Sequence, residues 1–134
     1  MNHLKSYLII MILIGLFACS GNTENKIGRK KTRIEFENNT YDFGDLEFGS
    51  NGTCEFVFTN KGKEPLILSN VRSTCGCTVP EWPDKPVKEG ESEIIRVSYD
   101  TYRVGAFTKV ITVYSNAVNS PVRLFIKGRV KPKD

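Results

Sequence analysis

The sequence predicts an all-β domain, an immunoglobulin-like antiparallel β-sandwich of about seven strands over residues 34–134, preceded by a signal peptide and a disordered tether. From Ile34 onward apolar residues recur with period two, and Gly, Asn, Pro and Ser interrupt them every 8–15 residues. No i, i+3, i+4, i+7 apolar stripe occurs in this region, so helical periodicity is absent where strand periodicity is present.

The predicted strands fall near residues 33–37, 41–46, 53–59, 66–73, 92–100, 106–115 and 122–130. In the third, Cys54, Phe56 and Phe58 share one face while Glu55 and Val57 share the other. That alternation predicts one buried and one wet face, as an antiparallel sheet allows. Asn51-Gly52, Asn60-Lys61-Gly62, Glu89-Gly90 and Ser115-Asn116 supply the residues that connect such strands tightly. Seven short strands in about 100 residues fit a sandwich better than a closed barrel. Trp82 follows both Cys75 and Cys77, so the Cys…Trp…Cys spacing of antibody domains is absent.

The first 33 residues have a different composition. Residues 1–18, MNHLKSYLIIMILIGLFA, place Lys5 before an apolar run from Tyr7 to Phe17. A transmembrane helix needs roughly 20 apolar residues, and this run stops short of that at a small residue and a cysteine, the order of a cleaved secretory signal. The junction Leu16-Phe17-Ala18-Cys19 resembles the bacterial lipobox. The resemblance implies cleavage after Ala18 and a covalent lipid on Cys19; Phe17 departs from the pattern, which has a small residue there. Residues 19–33 then read as a lipidated cysteine followed by a basic tether. Lys26, Arg29, Lys30, Lys31 and Arg33 against Glu24 give residues 20–33 a charge of +4, and residues 34–134 keep −1. So polar a stretch cannot bury enough surface to fold, and its cations favour anionic headgroups. The sequence pI of 8.9 therefore predicts no nucleic-acid binding, because the charge sits in a tether and not in a patch interleaved with aromatics.

Five segments of the domain, Tyr41-Asp42-Phe43-Gly44, Phe56-Val57-Phe58-Thr59-Asn60-Lys61-Gly62, Ser73-Thr74-Cys75-Gly76-Cys77-Thr78-Val79-Pro80, Lys88-Glu89-Gly90-Glu91 and Lys109-Val110-Ile111-Thr112-Val113-Tyr114-Ser115-Asn116, resemble domain of unknown function 1573 across residues 34–130. The Cys-Gly-Cys-Thr segment is the most specific of them. The resemblance implies an exported Ig-like module, often a lipoprotein, and implies no reaction. Glu89 stands where that pattern commonly has Pro, and Cys54 where it has a plain apolar residue.

Residues able to carry chemistry are few. The single histidine, His3, lies in the signal peptide, so Ser-His, Cys-His and Zn-His arrangements are closed to the processed chain. Asp42 and Asp45, and Glu89, Glu91 and Glu93, occupy ordinary turn and solvated-face positions, and the domain reads as non-enzymatic. Cys75 and Cys77 remain. In an extended strand their Cα atoms would be about 6.6 Å apart, the outer limit of a disulfide, so bridging them needs a turn at Gly76. Two readings stand side by side: a structural one, in which the pair ends a strand beneath a long 78–88 loop and forms a local or longer disulfide, and a thiol-redox or Cu(I) one, since thiolates suit soft metals. Three cysteines beyond Cys19 leave one unpaired within the chain, and Cys54, on the face of Phe56 and Phe58, is the candidate. No other cofactor is expected. The Pro-locked segment with Trp82, Pro83 and Pro86 reads either as a binding loop or as a tryptophan folded over the sandwich end.

These readings converge on a lipid-anchored protein of the bacterial envelope. Ser20 after Cys19 resembles outer-membrane sorting, which places the domain on the periplasmic side, where it would meet a protein or polymer partner through loops or an exposed sheet edge.

Overall fold

The computed structural model describes residues 32–134, and every regular element among them is a strand. They are β1 (Ile34–Phe36), β2 (Thr40–Leu46), β3 (Thr53–Asn60), β4 (Leu68–Ser73), β5 (Thr78–Glu81), β6 (Ser92–Tyr99), β7 (Gly105–Ser115) and β8 (Val122–Val130). The predicted signal peptide, Cys19 and the tether up to residue 31 lie outside the described residues.

Two four-stranded sheets face each other, one ordered β1-β3-β6-β5 and the other β2-β8-β7-β4. Alternation decides which side chains meet between them. Phe56, Phe58, Ile95 and Val97 of the first sheet and Val71, Ile111, Val113, Leu124 and Ile126 of the second are buried together, each such side chain contributing about 1.5–3 kcal/mol of transfer free energy. Tyr99 and Phe107, on strands that belong to different sheets, stack with ring centroids 3.7 Å apart. Cys54 shares the buried face of β3 as its spacing predicts.

The sandwich departs from the expected pattern in three places. It has eight strands, because β5 lies in the segment expected to be a loop. Thr78-Val79-Pro80-Glu81 hides from a periodicity test because it is short and holds a proline. Proline is tolerated since β5 is an edge strand: the Asp100 N–H donates to the Cys77 carbonyl at 2.9 Å, which makes that pair a bonded one and, by alternation, turns the nitrogen of Pro80 away from β6. The β2–β8 pair is parallel, so the second sheet is mixed. β1 edges the first sheet as far as Phe36, and after bends at Glu37 and Asn39 the chain joins the second sheet at Thr40 as β2, beside β8. Finally, β4 begins at Leu68; Leu66 instead exchanges two 2.8 Å backbone hydrogen bonds with Val87 in the β5–β6 loop.

A bulge interrupts β2 between Asp42 and Asp45. Gly44 holds φ +63° there and donates its N–H to Asp42 Oδ1 at 2.9 Å. A residue with a Cβ would be strained at this position.

At the pole where the described chain begins, Asn60 is fully buried and fully bonded. Its Oδ1 accepts from Thr32 Oγ1 at 2.6 Å and from the Gly62 N–H at 2.9 Å, and its Nδ2 donates to the carbonyls of Glu64 at 2.8 Å and Val87 at 2.9 Å. Replacing it leaves several buried groups without partners. Asn60→Ala should lower unfolding free energy by about 3 kcal/mol in urea titration, whereas Thr32→Val, which removes one bond, should cost about 1 kcal/mol. Equal effects of the two would contradict this account.

Candidate functional site

Cys75 and Cys77 occupy the point where the chain passes from one sheet to the other. β4 ends at Ser73 in the second sheet and β5 starts at Thr78 in the first, leaving residues 74–77 to make the crossing. The Thr78 N–H donates to the Cys75 carbonyl at 3.3 Å, closing a turn that brings the two cysteine Cα atoms to 5.3 Å, and a disulfide joins them. Ser73 Oγ lies 2.7 Å from the Cys75 carbonyl oxygen and 2.6 Å from that of Thr78, so one hydroxyl serves both ends of the turn. Thr74 N–H donates to Val110 O at 3.2 Å, and Asp100 N–H to Cys77 O at 2.9 Å, tying the crossover to each sheet. The turn forms without a positive φ at Gly76.

This disulfide is local, and its two sulfurs differ in access. Cys77 is 4% exposed and Cys75 is half-buried. An incoming thiolate therefore reaches the Cys75 sulfur, and the leaving group would be a Cys77 thiolate inside the core, where charge is poorly solvated. The geometry suits a permanent clamp better than an exchanging pair. Cys54 stands apart on β3 as the free cysteine among the described residues, 4% exposed, and desolvation by burial, helped by the neighbouring Glu55 carboxylate, pushes its thiol up to about 12. Among the described residues, no group of three or more His, Cys, Asp or Glu side chains is placed to hold a metal ion.

Trp82 and Pro83 follow β5 and, with Glu81, Glu93, Ile94 and Arg96, line a shallow open depression on the outer side of the first sheet. Trp82 is 37% exposed and lines this depression beside Ile94 and Arg96. Pro86 is exposed further along the loop and does not join that depression.

Among the described residues the most exposed aromatic side chain lies at the opposite pole from Asn60. Tyr102, 69% exposed, meets Phe48 edge-on at 5.2 Å, and Val104 beside it is also exposed. Two loops build this tip. Gly49 N–H donates to Thr101 O at 3.1 Å, and Tyr102 N–H donates to Asp100 Oδ1 at 3.0 Å. Gly49 has φ +73°, and a Cβ there would sit 3.3 Å from the Tyr102 ring, so glycine keeps the tyrosine in place. Sequence reading passed over this tip. Its one signal is the apolar pair Tyr102 and Val104, on either side of Arg103, in a connection that no strand pattern claims.

In the folded chain Cys54 should resist iodoacetamide at pH 8.5 and react after denaturation. Its folded pKa is raised, so the stability it confers is complete below the unfolded value of 9.0 and is lost as pH climbs toward about 12. Cys54→Ala should flatten the stability profile across that alkaline window. Cys75→Ala with Cys77→Ala should lower stability by only about 1–3 kcal/mol, because the loop closed by the bond is short. Rapid native-state reduction of the bond by dithiothreitol would contradict the clamp assignment.

Among solved structures, a protein of unknown function from Porphyromonas gingivalis W83 superposes with TM-score 0.65 at 19% identity, covering 73% of this chain and 46% of that one. The chain thus spans less than half the length of that relative. The ASH/PapD-like domain 7 of human CEP192 superposes with TM-score 0.65 at 11% identity over 87% of this chain and 98% of that domain. The secreted serine protease VesC of Vibrio cholerae matches with TM-score 0.56 at 15% identity, over 73% of this chain and 23% of the protease. At these identities the likeness establishes the fold alone, an Ig-like β-sandwich. No curated protein matches the chain. The family model described as "Protein of unknown function (DUF1573)" matches residues 34–130, and the chain belongs to that family.

Proposed function

We propose that this chain is a membrane-anchored envelope lipoprotein, acylated on Cys19, whose Ig-like domain is a non-catalytic module that binds a protein or polymer partner of the envelope. The observation that carries the binding reading is the tip at which exposed Tyr102 and Val104 stand with half-buried Phe48 on two hydrogen-bonded loops. β3 runs from that tip to Asn60, so the tip stands about 25 Å from where the tether joins the domain. An anchor at one pole leaves the contact surface at the other free for a partner.

Loops serve this role better than sheet edges. β1 has three residues and β5 four with a proline, while β2 and β4 are bulged at Asp42/Asp45 and Leu68/Asn70. A partner strand would find no long regular ladder to extend. The anchor reading rests on Leu16-Phe17-Ala18-Cys19, and Ser20 favours the outer membrane facing the periplasm. The covalent lipid is the one prosthetic group in this reading. A redox or Cu(I) role for Cys75 and Cys77 would need the bond reduced first, and the burial of Cys77 weighs against that.

Radiolabelled palmitate should enter the wild-type chain in a bacterial host and not Cys19→Ala; absence of label from the wild type removes the anchor reading. A photocrosslinking amino acid at position 102 should give a discrete adduct in intact cells, and one at position 35, on the outer side of the first sheet, should not. Adducts at 35 with none at 102 would move the contact surface away from the tip.

A further inference from the structure

The outward sides of the two sheets differ in charge. Directly paired residues share a face, so the register sorts them. The outer face of β1-β3-β6-β5 carries Glu35, Glu55 and Glu81 against Arg96, and Arg96 is bonded to Glu55 at 2.9 Å. The outer face of β2-β8-β7-β4 carries Arg72, Arg123, Lys127 and Arg129 against Asp42 and Asp45. Lys127 is engaged by Asp42 at 3.4 Å, and Asp42, held below its ordinary pKa by the Gly44 N–H first and Lys127 next, stays charged to low pH. Arg129 stands opposite Asp45 in the register.

That leaves Arg72 and Arg123. They flank Thr112 in one row across β4, β7 and β8, both are exposed, and neither makes an ion pair among the described residues. Neighbouring strands lie about 4.8 Å apart, so the two Cα atoms are roughly 10 Å apart on a flat face. Tyr114 and Phe125, both partly exposed, occupy the rows on either side. Two uncompensated guanidiniums framed by aromatic rings are suited to a surface that is anionic outside and apolar beneath.

The row also lies at the pole where the tether joins. β7 and β8 meet in the 116–121 turn, where Val118 N–H donates to Thr32 O at 2.9 Å and Asn119 bonds both the N–H and the carbonyl of Ile34. Twelve residues separate Cys19 from Thr32, 13 steps with a reach of about 45 Å at full extension, and residues 20–33 carry +4. A tether of that length would hold the face at high effective concentration beside any bilayer that bears the anchor.

We infer that the outer face of β2-β8-β7-β4, through Arg72 and Arg123 with Tyr114 and Phe125, docks on the headgroups of an anionic phospholipid bilayer. This rests on the lipid-anchor reading above and adds an orientation to it: the basic sheet toward the membrane and the acidic sheet away. Each guanidinium near an anionic surface strengthens partitioning about fivefold, so Arg72→Gln with Arg123→Gln should weaken docking about 25-fold.

The test uses full-length protein purified from a bacterial host and reconstituted with vesicles of phosphatidylcholine or of phosphatidylcholine and phosphatidylglycerol in equal parts. Flotation with the neutral vesicles reads the anchor alone, and failure to float there counts against the anchor without touching the face. Phenylglyoxal modification, followed residue by residue by mass spectrometry, reads the face. Arg72 and Arg123 should react about fivefold more slowly on the anionic vesicles, with the difference erased at high salt, and Arg96 on the opposite sheet should react alike on both. Equal rates for Arg72 and Arg123 on the two vesicle types, or parallel slowing of Arg96, overturns the inference.

Discussion

The arrangement of the sandwich depends on a single buried amide. Asn60 ends β3, and its side chain joins Thr32 ahead of β1, the turn at Gly62 and Glu64, and the carbonyl of Val87 in the β5–β6 loop. Its backbone adds bonds to Glu91 and Gly90. Three segments distant in sequence thereby share one anchoring point. A buried amide with unfilled bonds would be a liability, and with all of them filled it selects one register over its neighbours. The register matters because β1 sits on β3 for only three residues and then leaves for the other sheet. A slip by one would turn Ile34 outward and misplace the start of β2 against β8.

Most of the strand plan could be read from periodicity. The faces of β3, β6, β7 and β8 follow from alternation of Phe56 and Phe58, Ile95 and Val97, Ile111 and Val113, and Leu124 and Ile126, because burial of one side is what selects such a pattern. Two features were beyond that kind of reading. Alternation states which side a residue faces and nothing about strand direction, so the parallel pairing of β2 with β8 could not be deduced from it. β5 was invisible for a different reason: its four residues are held by pairing to β6 and by the crossover before them, and Pro80 in so short a run masks the strand preference of Thr78 and Val79.

The candidate site was legible where chemistry is written in residue type and illegible where it depends on assembly. Cys75-Gly76-Cys77 marks two thiols close in sequence, open to a local or longer disulfide or to a soft metal, and Cys54 stands out as a buried thiol by the company of Phe56 and Phe58. The position of the bridge between sheets, and the unequal access to its two sulfurs, belong to the folded chain alone. Trp82 drew attention by rarity, yet it lines only a shallow open depression. Tyr102 is one of several tyrosines, and its importance comes from Gly49 and Phe48, more than 50 residues away in sequence.

The interrupted outer strands have a consequence for how such a domain can change over time. A module that recognised its partner by lending a strand would share backbone with it, and any revision of the contact would disturb the ladder that also holds the core. Here the edge strands are short or bulged, and in the proposed reading the frame offers side chains on turns and on one outer sheet face. Those can be exchanged singly while Asn60, the crossover clamp and the inner faces stay as they are. Relatives with little sequence in common can then keep one scaffold while their surfaces diverge.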